Sequence, residues 1–439
     1  MELNLVGDLM IDEYKFYSIS RVSPEAPVPV LLFKDFKVAL GGSGNLAACL
    51  SLLGYKVNLF GVCSSDAIEE INILCKKYDI STDLLLKNND LLTTRKLRIL
   101  GNNKQICRID TDSYLDKDNL IIFSEHLNKN VNTEYPIVLS DYAKGVSDVF
   151  INDPVLSAPK YIDPKYPDWS RYLGCKFLKA NEIEYDQALN FAKCTTAAEL
   201  IKKYKISNLI VTRGKNGCSY YSDKENIEIK GISVISKDVT GAGDSFMASF
   251  IWANEFGYDI KNSLIFANAT AACSVRKVGA YAPNFYEILE FLSQDLNIHL
   301  DKDFVFKKVL IGGCFDCLHA GHLYLFNEAI KIAESVIVAV NSDSSVSILK
   351  GNERPYQDIE TRINNIRKLG FSKDIISFNE NSPIKILEKE RPDVFIKGGD
   401  YSGDEDFEDF NYCKEKNIKI IIIPTKEGFS SSRIIDEIS

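Results

Sequence analysis

The 439-residue sequence has no apolar run near the ~18 residues that a membrane-spanning helix requires, so a spanning segment is not expected. Its first residues, MELNLVGDLMIDEY, lack the basic start and long apolar stretch of a secretory signal. Positive charge is not in excess. The formal net charge of −9 argues against a general nucleic-acid binder, although nucleotides held by local loops stay possible. The 11 cysteines follow no disulfide framework, which predicts reduced thiols in a cytoplasmic compartment. There is no internal repeat and no low-complexity linker. Histidine is scarce, with four in the chain, so the two that stand three apart attract notice.

What is present is the balance of a folded protein, 45% hydrophobic and 26% charged, in a length that predicts two domains. Short β-branched runs alternate with amphipathic stretches, as in α/β domains with mainly parallel sheets. Strands are predicted at Leu3–Val6, Val57–Val62, Ile137–Ser140, Tyr161–Asp163, Leu209–Thr212, Val309–Gly312, Val336–Val340, Val394–Lys397 and Ile418–Ile423. Residues 14–40 and 92–110 alternate differently and suggest antiparallel strands, either a small projecting lid or edge strands of the main sheet. A polar stretch near 295–306 predicts the division into residues 1–297 and 306–439.

In the first part, Asp238-Val-Thr-Gly-Ala-Gly-Asp244 precedes a run whose Phe246, Met247, Phe250 and Ile251 share a helical face. The amides of Gly241, Ala242 and Gly243 would then lie at a helix N-terminus, where they attract phosphate and stabilise charge on a transferring phosphoryl group. Asp244 would accept the proton of an attacking hydroxyl; its structural alternative is a helix cap. Gly41-Gly42-Ser43-Gly44-Asn45 lets a substrate approach the backbone, with Asn45 able to bind a sugar hydroxyl. Asn181 and Glu184, one helical turn apart, can both face Mg²⁺ through water. Thr212-Arg213-Gly214 follows a strand and suits contact with nucleotide phosphate.

With these elements in this order, residues 1 to about 295 resemble a ribokinase-family (PfkB-type) carbohydrate kinase. The chain departs from the family's signature by reading DVTGAGD and GGSGN, and neither change removes a catalytic group. The resemblance implies a ribokinase-like three-layer α/β domain with a small β-lid that often forms a dimer interface. It implies Asp244 as base, Gly241, Ala242 and Gly243 as anion hole, and Asn181, Glu184, Thr212, Gly214 and Asn268 on the ATP and Mg²⁺ side. Asp8, Asp12, Gly42 and Asn45 would contact the sugar, with Arg21, Lys144 and Lys165 as cations for a substrate phosphate or, alternatively, as surface residues.

In the second part, Ile311-Gly-Gly-Cys-Phe-Asp-Cys-Leu-His319-Ala-Gly-His322 runs from a strand into a helix. His319 and His322 share a face of the first turn, where two imidazoles and a helix N-terminus grip a triphosphate. Cys314 and Cys317, without a second pair, are read as apolar fillers around Asp316 rather than as a zinc or redox site. The segment resembles the HxGH nucleotidyltransferases, which include cytidylyltransferases, and so implies a smaller Rossmann-like domain with a mainly parallel sheet. Gly313, Phe315 and Asp316 match that family's motif. Asn341, Asp343, Lys350, Arg354, Lys397, Asp400, Ser431 and Ser432 fall where the family binds its nucleotide, and Arg362 follows in the same order.

Across the whole length, SRVSPEAPVPV at 20–30, LSDYAKG at 139–145, IDPK at 162–165, KGNERP, IKGGD and SSSRII resemble the bifunctional heptose-7-phosphate kinase/heptose-1-phosphate adenylyltransferases. That resemblance implies heptose phosphates and ATP as partners, Mg²⁺ as cofactor, a homodimer, and a place in ADP-heptose and lipopolysaccharide synthesis. Alternatives are a different sugar phosphate, CTP in the second reaction, a silent second domain, or a binding protein without catalysis.

Overall fold

The computed structural model describes residues 2–102, 104–152, 159–255, 257–283, 287–288, 291–292, 306–318, 320–351, 353–369, 371–399 and 407–423. His319, Asp400, Ser431 and Ser432 therefore lie outside the described residues. The chain divides into two compact units, Met1–Leu296 and Asn297–Ser439.

The first unit carries thirteen strands among its described residues: β1 (Glu2–Gly7), β2 (Leu9–Val22), β3 (Pro29–Gly42), β4 (Lys56–Ser64), β5 (Leu85–Asn88), β6 (Thr94–Gly101) and β7 (Lys104–Thr111). The remainder are β8 (Ile137–Ser140), β9 (Tyr161–Asp163), β10 (Phe177–Asn181), β11 (Asn208–Thr212), β12 (Gly217–Ser222) and β13 (Asn226–Lys230). Nine form one sheet in the order β13-β12-β11-β10-β9-β8-β1-β4-β5. It is parallel from β5 to β11, and β12 and β13 add an antiparallel edge. Its central strands are covered on both faces, which is why β1 and β8 are buried along their apolar lengths. The helix Ala242–Glu255 buries every residue from Asp244 to Ala253. A helix apolar on all sides belongs in the interior, and this one packs on the helices Ser43–Leu52 and Ile260–Ser274.

The two differently patterned segments form a separate four-stranded sheet, β3-β2-β6-β7. Its outer pairs are antiparallel, but its central pair, β2 with β6, is parallel. The expectation of antiparallel strands is corrected there. Strand β2 is buried at its start and exposed at its end, so the sheet leaves the core as it extends.

Among its described residues the second unit has five parallel strands, β14 (Phe306–Gly313), β15 (Ala333–Asn341), β16 (Asp374–Phe378), β17 (Val394–Gly398) and β18 (Lys419–Ile423), in the order β16-β15-β14-β17-β18. The winding reverses between β14 and β17. In open α/β sheets the crevice at the carboxyl ends of such a strand pair receives the ligand. Leu310, Phe395, Leu387 and Phe410 are buried in its core. No helix among the described residues is long and apolar enough to cross a membrane.

Candidate active sites

Gly42 starts the helix Ser43–Leu52 at a φ of 56°, and a β-carbon there would sit 2.3 Å from the carbonyl oxygen of Asp8. Only glycine meets both conditions. The turn points Asn45 at Asp244, which lies in the first turn of Ala242–Glu255 and is 5% exposed. Asn45 Nδ2 donates to Asp244 Oδ2 at 2.6 Å, and the Tyr142 hydroxyl donates to Oδ1 at 3.0 Å. Burial pushes the Asp244 carboxyl above its ordinary range, while Asn45, Lys179 and Tyr142 pull it back. Asn45, expected on a sugar hydroxyl, thus spends its amide on the carboxylate. Of the three glycine-loop amides, that of Ala242 is taken by the Val239 carbonyl at 3.3 Å. No backbone carbonyl is matched to the Gly241 or Gly243 amide among the loop and turn bonds of the described residues.

The expected sugar contacts divide. Asp8, 2% exposed, accepts from the amides of Tyr142 (2.8 Å), Lys144 (3.1 Å) and Val146 (3.2 Å). Its carboxylate is consumed in holding the 142–146 loop. Burial and the nearby Asp141 push it up to about 7 against those amides. Asp12 is buried and paired with Arg98 of β6. Arg21 stands on the exposed end of β2. Lys144 reaches Asp112 at 2.7 Å and Lys165 reaches Glu184 at 3.0 Å, so each of these cations already has a carboxylate.

Asn181 and Glu184 form a reciprocal helix cap. The Asn181 side chain accepts from the Glu184 amide at 2.9 Å, and Glu184 Oε2 accepts from the Asn181 amide at 3.0 Å. Both side chains, expected toward Mg²⁺, serve this cap in the structure. Thr212 ends β11 with its hydroxyl 3.4 Å from the Ala180 carbonyl, and Gly214 follows at a φ of 52°. Asn268, expected near nucleotide, donates to the Lys230 carbonyl at 3.0 Å.

Residues that pattern reading missed complete this cluster. Lys179 of β10 is buried and meets Asp163 at 2.6 Å; its ammonium lies 3.1 Å from where a Gly243 β-carbon would stand. Burial alone would push that ammonium down, but Asp163, then Glu184 and Asp244, turn the shift upward, so Lys179 stays charged. Tyr142, just past β8, and Lys179, within β10, each lie two residues from an expected site residue, Lys144 and Asn181, and the sheet order brings both strands beside Asp244.

In the second unit, Phe315 and Cys317 take left-handed backbone conformations, with φ of 51° and 57°, on either side of Asp316. That turn sinks Asp316 to 1% exposure, where it accepts from Arg354 Nη1 at 2.9 Å and from the amides of Tyr356 and Gln357 at 3.1 Å. Burial opposes ionisation, yet these donors hold the carboxyl below its ordinary range. Asp316 and Arg354, both expected on nucleotide, tie the 354–357 loop to the glycine turn. His322 lies in the first turn of Ala320–Lys331, its ring edge-on to Phe315 at 5.4 Å. Cys314 and Cys317 are free and half-buried, and no three metal-binding side chains converge among the described residues.

Arg362 is fully buried and draws the site together. It donates to the carbonyls of Cys314 (2.6 Å), Asn341 (2.8 Å) and Gln357 (2.9 Å), and to Asp343 at 2.6 Å. Asp343 is thereby engaged, and the Asn341 side chain bonds Ser345 Oγ at 2.9 Å. Gly313 ends β14, Lys350 ends an exposed helical turn, and Lys397 pairs with Asp409 at 2.7 Å.

The two sites have separate counterparts among known proteins. Residues 1–285 match the model of the pfkB family carbohydrate kinases, and residues 310–437 match the cytidylyltransferase-like family. The kinase part shares its fold with phosphofructokinase-2 of Escherichia coli, at TM-score 0.56 and 15% identity over 66% of this chain and 97% of that one. A nucleoside kinase of Methanocaldococcus jannaschii, an archaeal ribokinase-family member, follows at TM-score 0.52 and 21% identity over 67% and 99%. Over the whole length, the bifunctional protein HldE of Hydrogenovibrio crunogenus is 32% identical, covering 99% of this chain and 95% of its own. That of Helicobacter pylori is 33% identical, covering 100% and 98%. A kinase unit and a nucleotidyltransferase unit, joined in this order and matched end to end, place the chain in the family of bifunctional HldE proteins.

Proposed function

We propose that the first unit phosphorylates the anomeric hydroxyl of D-glycero-D-manno-heptose 7-phosphate with ATP. The second then transfers AMP from ATP to heptose 1-phosphate, giving ADP-heptose and pyrophosphate for lipopolysaccharide core synthesis. A separate phosphatase would act between the steps. The observation that carries the reading is the buried Asp244 at a helix start, held by Asn45 and Tyr142 beside glycine amides, in a chain that matches bifunctional relatives from end to end. Asp244 takes the proton as the sugar oxygen attacks, and the Gly241 and Gly243 amides with Lys179 offset charge on the transferring group. In the second reaction His322, with His319, steadies the triphosphate while the sugar phosphate attacks in line.

Mg²⁺ keeps most of its waters and binds through one or two carboxylates plus substrate phosphates. No three such side chains converge around Lys179 among the described residues, so the ion would rest on ATP phosphates and its own waters, with Glu184 reached through water. Bound there, Mg²⁺ would neutralise ATP phosphate charge. The free cysteines fit a reducing cytoplasm, and the apolar side chains exposed on the lid fit a homodimer through that sheet.

The test supplies heptose 7-phosphate with Mg-ATP, then heptose 1-phosphate with ATP or CTP, following ADP and pyrophosphate release. Asp244→Asn is expected to abolish only the first reaction and His322→Ala only the second. Turnover of another sugar phosphate instead of heptose would overturn the substrate, and pyrophosphate release with CTP alone would overturn the nucleotide. A silent second domain would release none.

A further inference from the structure

Of the neighbouring lid cations Lys96, Arg98 and Arg108, two have a carboxylate. Arg98 of β6 is taken by Asp12 of β2, and Arg108 of β7 by Asp110 at 2.8 Å. Lys96, two residues before Arg98, is left over. Its ammonium is half-buried and has no hydrogen bond or ion pair among the described residues. It stands 5.5 Å from the centre of the Tyr142 ring. The hydroxyl of that ring is the one that donates to Asp244. One tyrosine therefore separates the ammonium from the carboxylate, much as the body of a seven-carbon sugar separates its anomeric hydroxyl from a phosphate at its far end.

An ammonium drawn partly out of water with only a ring face beside it recovers little of the hydration it loses. Burial pushes the Lys96 amine down from its ordinary range, and the engaged Asp12 and Asp110 restore it only in part against Arg108 and Arg98. A phosphate dianion offsets that loss through charge-assisted hydrogen bonds. The ring face beneath it holds the ammonium in place.

We propose that Lys96 receives the phosphate that the sugar substrate already carries, and so sets the preference of the kinase site for a phosphorylated sugar over a free one. This rests on the kinase reading above and assigns its substrate phosphate. The alternative source of a phosphate, the nucleotide, is separated by the same experiment. Steady-state kinetics of the full chain compares wild type, Lys96→Gln and Lys96→Arg. Heptose 7-phosphate is used as substrate, with free heptose as substrate or competitive inhibitor, and ATP is varied separately.

Lys96→Gln should raise KM for the sugar phosphate about ten- to a hundredfold with kcat little changed. The advantage over free heptose should shrink by the same factor, KM for ATP should hold, and Lys96→Arg should recover part of the loss. An unchanged KM, an equal rise for phosphorylated and free sugar, or a rise confined to ATP would overturn the assignment. Retained kcat and an unchanged KM for ATP in the kinase reaction report that the kinase unit of each variant is folded. If wild type rejects heptose 7-phosphate, the heptose reading falls by itself. The Lys96 comparison is then run on whichever of fructose, glucose or mannose 6-phosphate is turned over, against its free sugar.

Discussion

At the scale of single residues, the kinase site depends on how a buried carboxylate is kept ionised. As the proposed base, Asp244 accepts a proton only in its charged form; burial raises its pKa, and Asn45, Lys179 and Tyr142 lower it. Tyr142→Phe removes one lowering contact, so the acid limb of kcat/KM for the kinase reaction should move to higher pH. Activity should fall about tenfold, in line with the loss of a hydrogen bond to a charged group, and more at pH 6 than at pH 8. A limb that stays in place would show that the hydroxyl does not bear on the ionised form. Asp244 and His322 were legible in the sequence because each sits in a glycine-marked strand- or loop-to-helix turn. Asn45 on Asp244, Lys96 on Tyr142 and Lys179 under Gly243 were not. Each depends on a pairing across the sheet or the lid, and local spacing carries no trace of it.

At the scale of elements, the parallel strands announced themselves as β-branched runs ending in small or polar residues. Strands β5, β10, β12, β13 and β16 did not: Lys87, Lys179, Ser219, Glu228 and Ser377 fall within their short runs. The parallel β2–β6 pair was hidden too, since alternation fixes a strand but not the direction of its neighbour. In the second unit one side chain joins the ends of β14 and β15 to the 354–357 loop. Arg362→Met would leave the Cys314 and Asn341 carbonyls and Asp343 without their donor. The expected cost is about 1–3 kcal/mol, as for leaving buried acceptors without their donor. Scanning calorimetry should show the nucleotidyltransferase transition lowered, while kinase turnover persists below it. A uniform shift of all unfolding would contradict separate cores.

At the scale of the whole molecule, the lid exposes Val22, Leu32, Phe33, Phe36 and Ile109. Exposed apolar side chains gathered on one small sheet mark an association surface. Phe33→Asp with Phe36→Asp should convert a dimer into a monomer in sedimentation velocity, because aromatic anchors carry much of such an interface; a wild-type monomer would remove the proposed homodimer. The cage around Asp244 has a consequence of another kind, in the order of synthesis. Asn45 waits for a partner 199 residues further along, and Asp8 for amides 134 to 138 residues away. Contacts so distant in sequence close slowly, and a chain emerging from its amino terminus makes them only after most of the first unit has been translated. Until Asp244 emerges, the helix that begins at Ser43 holds an amide meant for a carboxylate not yet made. The catalytic pocket is therefore among the last parts of the kinase to mature, and a nascent kinase unit stays without activity until that late contact closes.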